Sequence, residues 1–435
     1  LKVADHIDKI FWSFADKMLF VGFGIVSLFQ MRAMDPGELG LFALLINMHT
    51  WVFVLGDSFA LQNIIQFGAE KENRGKVNLI ALILLLILCL ISIILVLLLG
   101  NCAAELFSEP RFSDVALALP ILTFLTIPRV FTIKLMYRDS RMHEIFFANL
   151  AFFGTMTALT IYYLKTKPAL SYEDLILIYY IGTAVSSALG IILKLPQIRF
   201  SLAGDIRIKA MFGFSTPVTL ASILNYVPRL FDVYIVQFFF STSTVGVYYL
   251  AKNLFRVFDE ALSGSMGLVY PAAVRLIASQ DEAGLKDLAS KALSFLLMAF
   301  LAAVLLIELG FGEFFIHLFM PEKYYAAVGQ LNLLALAAIG MPFIIISAII
   351  NASGKSATVL AFVTVSVVAN IFALFAIGFL GDAALVPLGL VAYNYILAAI
   401  LYYYAVKHYK FNILILFRAV KDSISFIKNK LESKT

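Results

Sequence analysis

Charge is what this sequence has least of. Asp, Glu, Lys and Arg make up 14% of the 435 residues, while 62% are hydrophobic. A soluble domain carries about 25% charged and about 45–50% apolar residues. A chain this apolar lacks the polar surface to cover itself in water, which excludes an ordinary soluble enzyme. Cysteine is nearly absent. Cys89 and Cys102 alone make neither a disulfide scaffold nor a zinc site, and on one helix they would lie about 20 Å apart. The five histidines, His6, His49, His143, His317 and His408, form no ligand cluster in sequence. No Walker A pattern occurs, which argues against ATP as the direct energy source. A net charge of +5 is too small for a nucleic-acid partner unless it is clustered.

What is present is a series of long apolar runs. A spanning helix needs about 20 apolar residues, and twelve runs qualify: 10–33, 38–61, 77–100, 115–137, 144–164, 173–194, 210–240, 244–272, 289–310, 326–350, 356–380 and 383–406. The third, VNLIALILLLILCLISIILVLLL after Lys76, is the plainest. The longest connections are expected at 195–209, 273–288 and 311–325, so no extramembrane catalytic domain is expected. The opening LKVADHIDK carries two aspartates, and no small-residue cleavage site follows the first run, so it does not read as a secretory signal.

Lys and Arg set the expected topology. The N-terminus, the connections after even-numbered runs and the C-terminus hold 22 of the 33; the opposite connections hold 5, and six lie within runs. Positive charge is retained on the cytoplasmic side, so both termini are expected there. This fits an even number of spans and a multi-pass protein of a bacterial or archaeal cytoplasmic (inner) membrane. The tail 407–435 alternates basic residues with Ile413, Phe417, Val420, Ile424 and Ile427 at steps of three and four. It reads as an amphipathic helix lying on anionic lipid.

Six plus six runs invite a search for duplication. Leu39-Gly-Leu-Phe-Ala43 has a counterpart in Val245-Gly-Val-Tyr-Tyr249, and Thr126-Ile-Pro128 in Gly340-Met-Pro342. The turn Arg138-Asp-Ser-Arg141 falls on Ala352-Ser-Gly-Lys355. The expected fold is therefore an all-α integral membrane protein: twelve transmembrane helices in two six-helix lobes, 1–200 and 201–406, related by a parallel pseudo-two-fold repeat.

Ionisable groups at bilayer depth are costly and therefore candidate functional residues. Lys17 and Asp57 could pair across the first two helices, either for function or merely to hold them together, or else snorkel to the interface. Arg229 and Asp232 lie one turn apart past Pro228. Lys252, Arg256 and Asp259, at i, i+4 and i+7, share a helix face. Together they read either as a hydrated, net-positive cavity for an anion or as a salt-bridge network fixing the seventh and eighth helices. Arg129 follows Pro128, and either lines the same cleft or bonds carbonyls freed by the proline. The glycines and prolines of these two helices, among them Gly213, Pro217, Pro228, Gly264 and Pro271, suit a bendable gating element.

The stretch Phe212–Ala278 carries Phe214-Ser-Thr-Pro217, Asp232, a Val-Gly-x-Tyr-x-x-Ala turn (Val245, Gly246, Tyr248, Ala251) and Pro271. With Met34-Asp-Pro-Gly-Glu-Leu-Gly-Leu-Phe-Ala43 and Phe319–Gly354, it resembles the polysaccharide transporter family. These are the Wzx-like O-antigen and exopolysaccharide flippases of the multidrug/oligosaccharidyl-lipid/polysaccharide exporter superfamily. The resemblance implies a MATE-like fold with a V-shaped cavity lined by helices 1, 2, 7 and 8. It implies an undecaprenyl-diphosphate-linked oligosaccharide as cargo, with Lys17, Arg129, Arg229, Lys252 and Arg256 as substrate-binding candidates. Asp57, Asp232 and Asp259 are candidates for coupling to H+ or Na+. Membrane lipids and a polysaccharide polymerase are the expected partners, with no cofactor, no resident metal and no nucleic acid. The alternatives are a cation-coupled multidrug extruder of the same fold and, less in keeping with the short outward loops, a polytopic glycan-forming enzyme.

Overall fold

A computed structural model describes residues 3–409; the expected amphipathic tail lies almost wholly outside the described residues. Among the described residues, twelve helices are long and apolar enough to cross a membrane. They are α1 (Val3–Ala33), α2 (Pro36–Phe67), α3 (Arg74–Leu106), α4 (Phe112–Arg138), α5 (Met142–Thr166) and α6 (Tyr172–Gln197). The remaining six are α7 (Ile208–Phe239), α8 (Thr242–Ala278), α9 (Glu282–Phe319), α10 (Glu322–Ala352), α11 (Ser356–Leu380) and α12 (Ala383–His408). Extended pairing among the described residues is confined to an isolated bridge, Met34 to Leu170. In hydrocarbon every backbone polar group must be satisfied within the segment, so apolar runs of this length become helices.

The helix ends follow local chemistry. Pro36 opens α2, where its missing N–H costs nothing. Ser171 and Asp174 form a reciprocal capping box at the start of α6. Asp281 caps α9 by accepting from Gly284 N at 2.8 Å. This cap corrects the expected long connection at 273–288: α8 runs on to Ala278 and α9 begins at Glu282. The expected connection at 311–325 is likewise mostly helical, because α9 continues to Phe319 through a wide turn at Ile307–Phe311 where Gly310 takes φ 101°.

Two compact units divide the chain within α7. Unit 1 runs to Ile223 and includes Ser241–Gly246; unit 2 holds Leu224–Phe240 and the described residues from Val247 on. In unit 1, α4 packs on α3 and α6, while α5 packs on α6 and α1. Its core joins Val52, Leu61, Val77, Leu85, Phe131 and Leu135. In unit 2, α12 packs on α10 and α11 around Leu293, Ile346, Ile350, Val363, Leu397 and Leu401. Leu86, Leu90, Ile94 and Leu98 of α3 are exposed, as a lipid-facing surface requires. Buried polar side chains are bonded across helices: Gln30 to Thr160 at 2.7 Å, Asn63 to Ser215 at 2.7 Å and Asn394 to the Ala337 carbonyl at 3.1 Å.

Within unit 1 the start of α8 crosses the start of α2 backbone to backbone. A Cβ on Gly40 would lie 1.9 Å from the Thr242 carbonyl oxygen, and one on Gly246 would lie 1.9 Å from that of Pro36. Only glycine permits such an approach. Glu109 accepts a short hydrogen bond from the Thr242 hydroxyl beside the crossing. Nearby, Glu38 takes the guanidinium of Arg111 and, at 2.7 Å, the Tyr172 N–H.

Candidate functional site

Polar groups within the spanning helices are bonded to one another in each unit. In unit 1, α2 widens into a π-turn at Asp57–Leu61, a distortion frequent at functional positions. Asp57 sits at its first residue. Its Oδ1 pairs with Lys134 Nζ of α4 at 2.7 Å, and its Oδ2 accepts from Gln62 at 3.0 Å. The Lys17–Asp57 pair is therefore replaced by Lys134–Asp57. The reason is packing: α1 lies against α5, whereas α2 lies against α4. Lys17 is exposed.

Arg129 does not bond the carbonyls freed by Pro128. Its Nε donates to Ser186 Oγ of α6 at 3.1 Å and its Nη2 to Asn149 Oδ1 of α5 at 2.6 Å. Its guanidinium lies 4.4 Å from the centre of the Phe152 ring. Asn149 in turn donates to Asp16 of α1 at 2.7 Å. A chain of side chains, Asp16–Asn149–Arg129–Ser186, thus ties four helices together. His49 of α2 meets Thr126 Oγ1 of α4 at 3.0 Å. Asp16 stands out in an apolar run, but no spacing in the sequence links it to Asn149 or Ser186.

In unit 2 the five predicted residues of α7 and α8 do come together. Asp232 is 2% exposed and fully bonded. Its Oδ1 pairs with Lys252 Nζ at 2.8 Å and accepts from Val233 N at 2.8 Å, and its Oδ2 accepts from Tyr248 OH at 2.6 Å. Lys252 also donates to the Arg229 carbonyl at 2.5 Å. Arg229 Nη2 pairs with Asp259 Oδ1 at 3.0 Å, and Arg256 Nε lies 3.7 Å from Glu260 Oε1. Including Glu260, three cations face three carboxylates, so the expected surplus of positive charge is matched by acids within the cluster. Tyr248, which seals Asp232, and Glu260, one turn from Arg256, were missed as members of the site. Arg256–Glu260 at i, i+4 was the signal available for the second.

The three cations differ in access. Lys252 is held by a carboxylate, a carbonyl and the face of Tyr248, whereas the side chains of Arg229 and Arg256 are 48% and 50% exposed. A guanidinium presents a planar fork of donors that matches carboxylate and phosphate oxygens alike. An anion reaching this cluster would thus compete with Asp259 and Glu260. Among the described residues no group of three or more His, Cys, Asp and Glu side chains is placed to hold a metal.

Residues 31–329 match the family model described as polysaccharide biosynthesis protein. No curated protein sequence matches the chain. Among solved structures, the lipid II flippase MurJ in an inward closed conformation superposes with TM-score 0.73 at 14% identity, covering 98% of this chain and 93% of its own. An inward-facing multidrug resistance MATE transporter of the MOP superfamily gives 0.70 at 15% identity, covering 92% and 94%. A MATE in a bent conformation gives 0.57 at 15%, covering 93% and 94%.

Proposed function

The chain belongs to the polysaccharide biosynthesis protein family, and from that premise we propose that it is a flippase for an undecaprenyl-diphosphate-linked oligosaccharide. It moves an O-antigen, capsule or exopolysaccharide repeat unit from the cytoplasmic to the outer leaflet by alternating access, without ATP. The observation that carries this reading is the family match over most of a multi-pass chain. Similarity in fold to a lipid II flippase along nearly the whole length is in keeping with it.

The cargo's diphosphate binds at Arg229 and Arg256, displacing Asp259 and Glu260, with Lys252 contributing through its contact with the Arg229 carbonyl. The sugars occupy hydrated space and the polyprenyl chain remains in lipid. Lys17 and Arg129 remain candidate substrate-binding cations of unit 1. Asp57, Asp232 and Asp259 are the candidate sites for H+ or Na+ coupling. The protein resides in the cytoplasmic membrane with both termini inside, alongside a polysaccharide polymerase. Residues 1–200 and 201–406 are duplicated lobes. The reciprocal crossing supports the duplication: Pro36 meets Gly246 and Gly40 meets Thr242, each residue of one pair lying 206 positions from its counterpart in the other.

The test is complementation of a flippase-deficient strain by Arg229→Glu and Arg256→Glu, singly and together. Loss of surface glycan with normal protein levels is expected. Full complementation by the double variant removes the cluster from the mechanism. Resistance to cationic drugs conferred by the wild-type chain, without complementation, would favour the extruder alternative.

A further inference from the structure

A second basic site, made of residues outside the networks described above, lies in unit 1. It is a cavity of about 460 Å³ lined by Arg74, Arg138, Asp139, Arg141 and Gln197. The sequence builds it from helix ends. Arg74 opens α3, Arg138 closes α4, Arg141 precedes α5 and Gln197 closes α6. The turn between α4 and α5 is stiff: Ser140 takes φ 54°, and Arg141 N donates back to the Met136 carbonyl at 2.9 Å.

Arg138 is fixed as the back wall, donating to Asn78 Oδ1 at 2.9 Å and to Asp139 Oδ1 at 3.1 Å. Lys194, almost wholly buried, stands behind it, 3.4 Å from Asp139 and 2.9 Å from Glu144. Arg74 and Arg141 form the accessible rim, with side chains 35% and 43% exposed. Arg74 reaches Asp139 only at 3.6 Å, and its buried Nε donates to nothing among the described residues. The cluster thus holds four cations against the carboxylates of Asp139 and Glu144. Unlike the α7–α8 cluster, it has a surplus of two positive charges, and Arg74, which lines the cavity, keeps a guanidinium N–H without a partner among the described residues.

We propose that this pocket is a phosphate-binding site that takes the head group of an anionic phospholipid. Arg74 and Arg141 would clasp the phosphate oxygens, and Arg138 would supply fixed charge behind them. A phosphate brings the compact negative charge that the surplus lacks, and guanidinium forks bind its oxygens in pairs. The pocket lies at the ends of membrane-spanning helices, where lipid phosphates sit, on the side to which the Lys and Arg bias assigns the cytoplasm. Basic pockets between such helix ends are suited to anionic head groups. The inference does not rest on the flippase reading and concerns different residues.

The test uses the full chain purified in neutral detergent. Native mass spectrometry follows titration with short-chain phosphatidylglycerol, with phosphatidylcholine and with orthophosphate. Wild-type protein is expected to bind phosphatidylglycerol about ten-fold more tightly than phosphatidylcholine, whose choline cation neutralises the phosphate and is repelled by the surplus positive charge of the pocket. Arg74→Gln/Arg141→Gln is expected to abolish the preference. Arg74→Lys/Arg141→Lys, which keeps the charge, should retain part of it. Both variants alter half-exposed side chains, and their melting temperatures check the fold. Orthophosphate binding lost in the Gln variant would also support a phosphate site and assign a soluble source. Equal binding of every ligand by wild type and Gln variant overturns the proposal, as does a melting temperature preserved alongside an unchanged lipid preference.

Discussion

The buried Asp232–Lys252 pair yields the sharpest prediction. Asp232 is 2% exposed and takes three partners: Lys252, Tyr248 and the Val233 N–H. Removing one member of a buried pair leaves an uncompensated charge and costs about 3–5 kcal/mol. Lys252→Met should fall near the lower end, about 3 kcal/mol, because two neutral donors still hold the carboxylate. Asp232→Asn should cost less, about 1–2 kcal/mol. The Asn oxygen still accepts from Val233 N, its NH2 donates to the Tyr248 oxygen in place of the bond that Oδ2 accepted, and Lys252 keeps the Arg229 carbonyl at 2.5 Å. The double variant removes both charges and should return to within about 1 kcal/mol of wild type, a coupling of roughly 3 kcal/mol. Unfolding in mixed micelles with increasing anionic detergent measures all four proteins. Additive losses, or a Lys252→Met protein as stable as wild type, would refute the reasoning. Glycan export by the stable double variant then separates the two roles of Lys252. Restored export makes the pair structural, and lost export makes the ammonium a member of the cargo site.

Three further outcomes are expected. A Cβ at Gly246 would sit 1.9 Å from the Pro36 oxygen, where ordinary contact is 3.4 Å or more. Gly246→Ala must therefore push the crossing backbones apart and should cost about 1–3 kcal/mol, whereas Gly264→Ala, with nothing within 4 Å, should be neutral or slightly stabilising; equal melting temperatures for the two would contradict the crossing. Lys134→Ala should destabilise by about 1 kcal/mol through its half-exposed partner Asp57, while Lys17→Ala should stay within about 0.5 kcal/mol; the reverse order in a thermal assay would restore the Lys17–Asp57 pair. Burial alone would raise the Asp139 carboxyl, but the Arg138 hydrogen bonds and the charges of Arg138, Lys194 and Arg74 outweigh it and hold it below its ordinary value. Its stabilisation is then present above the unfolded value of about 3.9 and is lost as pH falls through the lower folded value. The stability gap between wild type and Asp139→Asn should narrow from pH 7 toward pH 3, and a constant gap would show that the carboxyl is not depressed.

The helices were legible because hydrocarbon imposes a length and a composition on any segment that crosses it. All twelve apolar runs overlap helices of the structure, and the α3 run is contained within its helix. The ends were less legible. Asp281 caps α9 and lets helix persist where only polarity marked a loop. Partner choice was the hardest to read. Lys17 and Asp57 lie on consecutive helices, but α1 packs on α5, and nothing in a single sequence states which helices touch. By contrast, Lys252, Arg256 and Asp259 were found because helical periodicity operates within one element. Their neighbour Tyr248 escaped because a tyrosine among aromatics carries no sign of the carboxylate it bonds.

The pairing pattern bears directly on how a cation in this membrane could serve an anionic cargo. A bare guanidinium or ammonium at bilayer depth costs several kcal/mol, so a chain that must fold before cargo arrives needs internal counter-charges. Arg129 answers this with Asn149, Ser186 and an aromatic face; Lys134 with Asp57; Lys252 with Asp232; Arg229 with Asp259. On the proposed function, cargo binding then becomes an exchange of one anion for another. Its net gain is the difference between diphosphate and carboxylate rather than the full attraction of a naked charge. Exchange is feasible where the cation is accessible and its carboxylate can be released to water. Arg229 and Arg256, each about half exposed, meet that condition, and Lys252, clamped by three groups, does not. On the proposed function, charge-neutral Arg229→Gln and Arg256→Gln should therefore weaken cargo affinity with little loss of stability, whereas Lys252→Met should act first through folding.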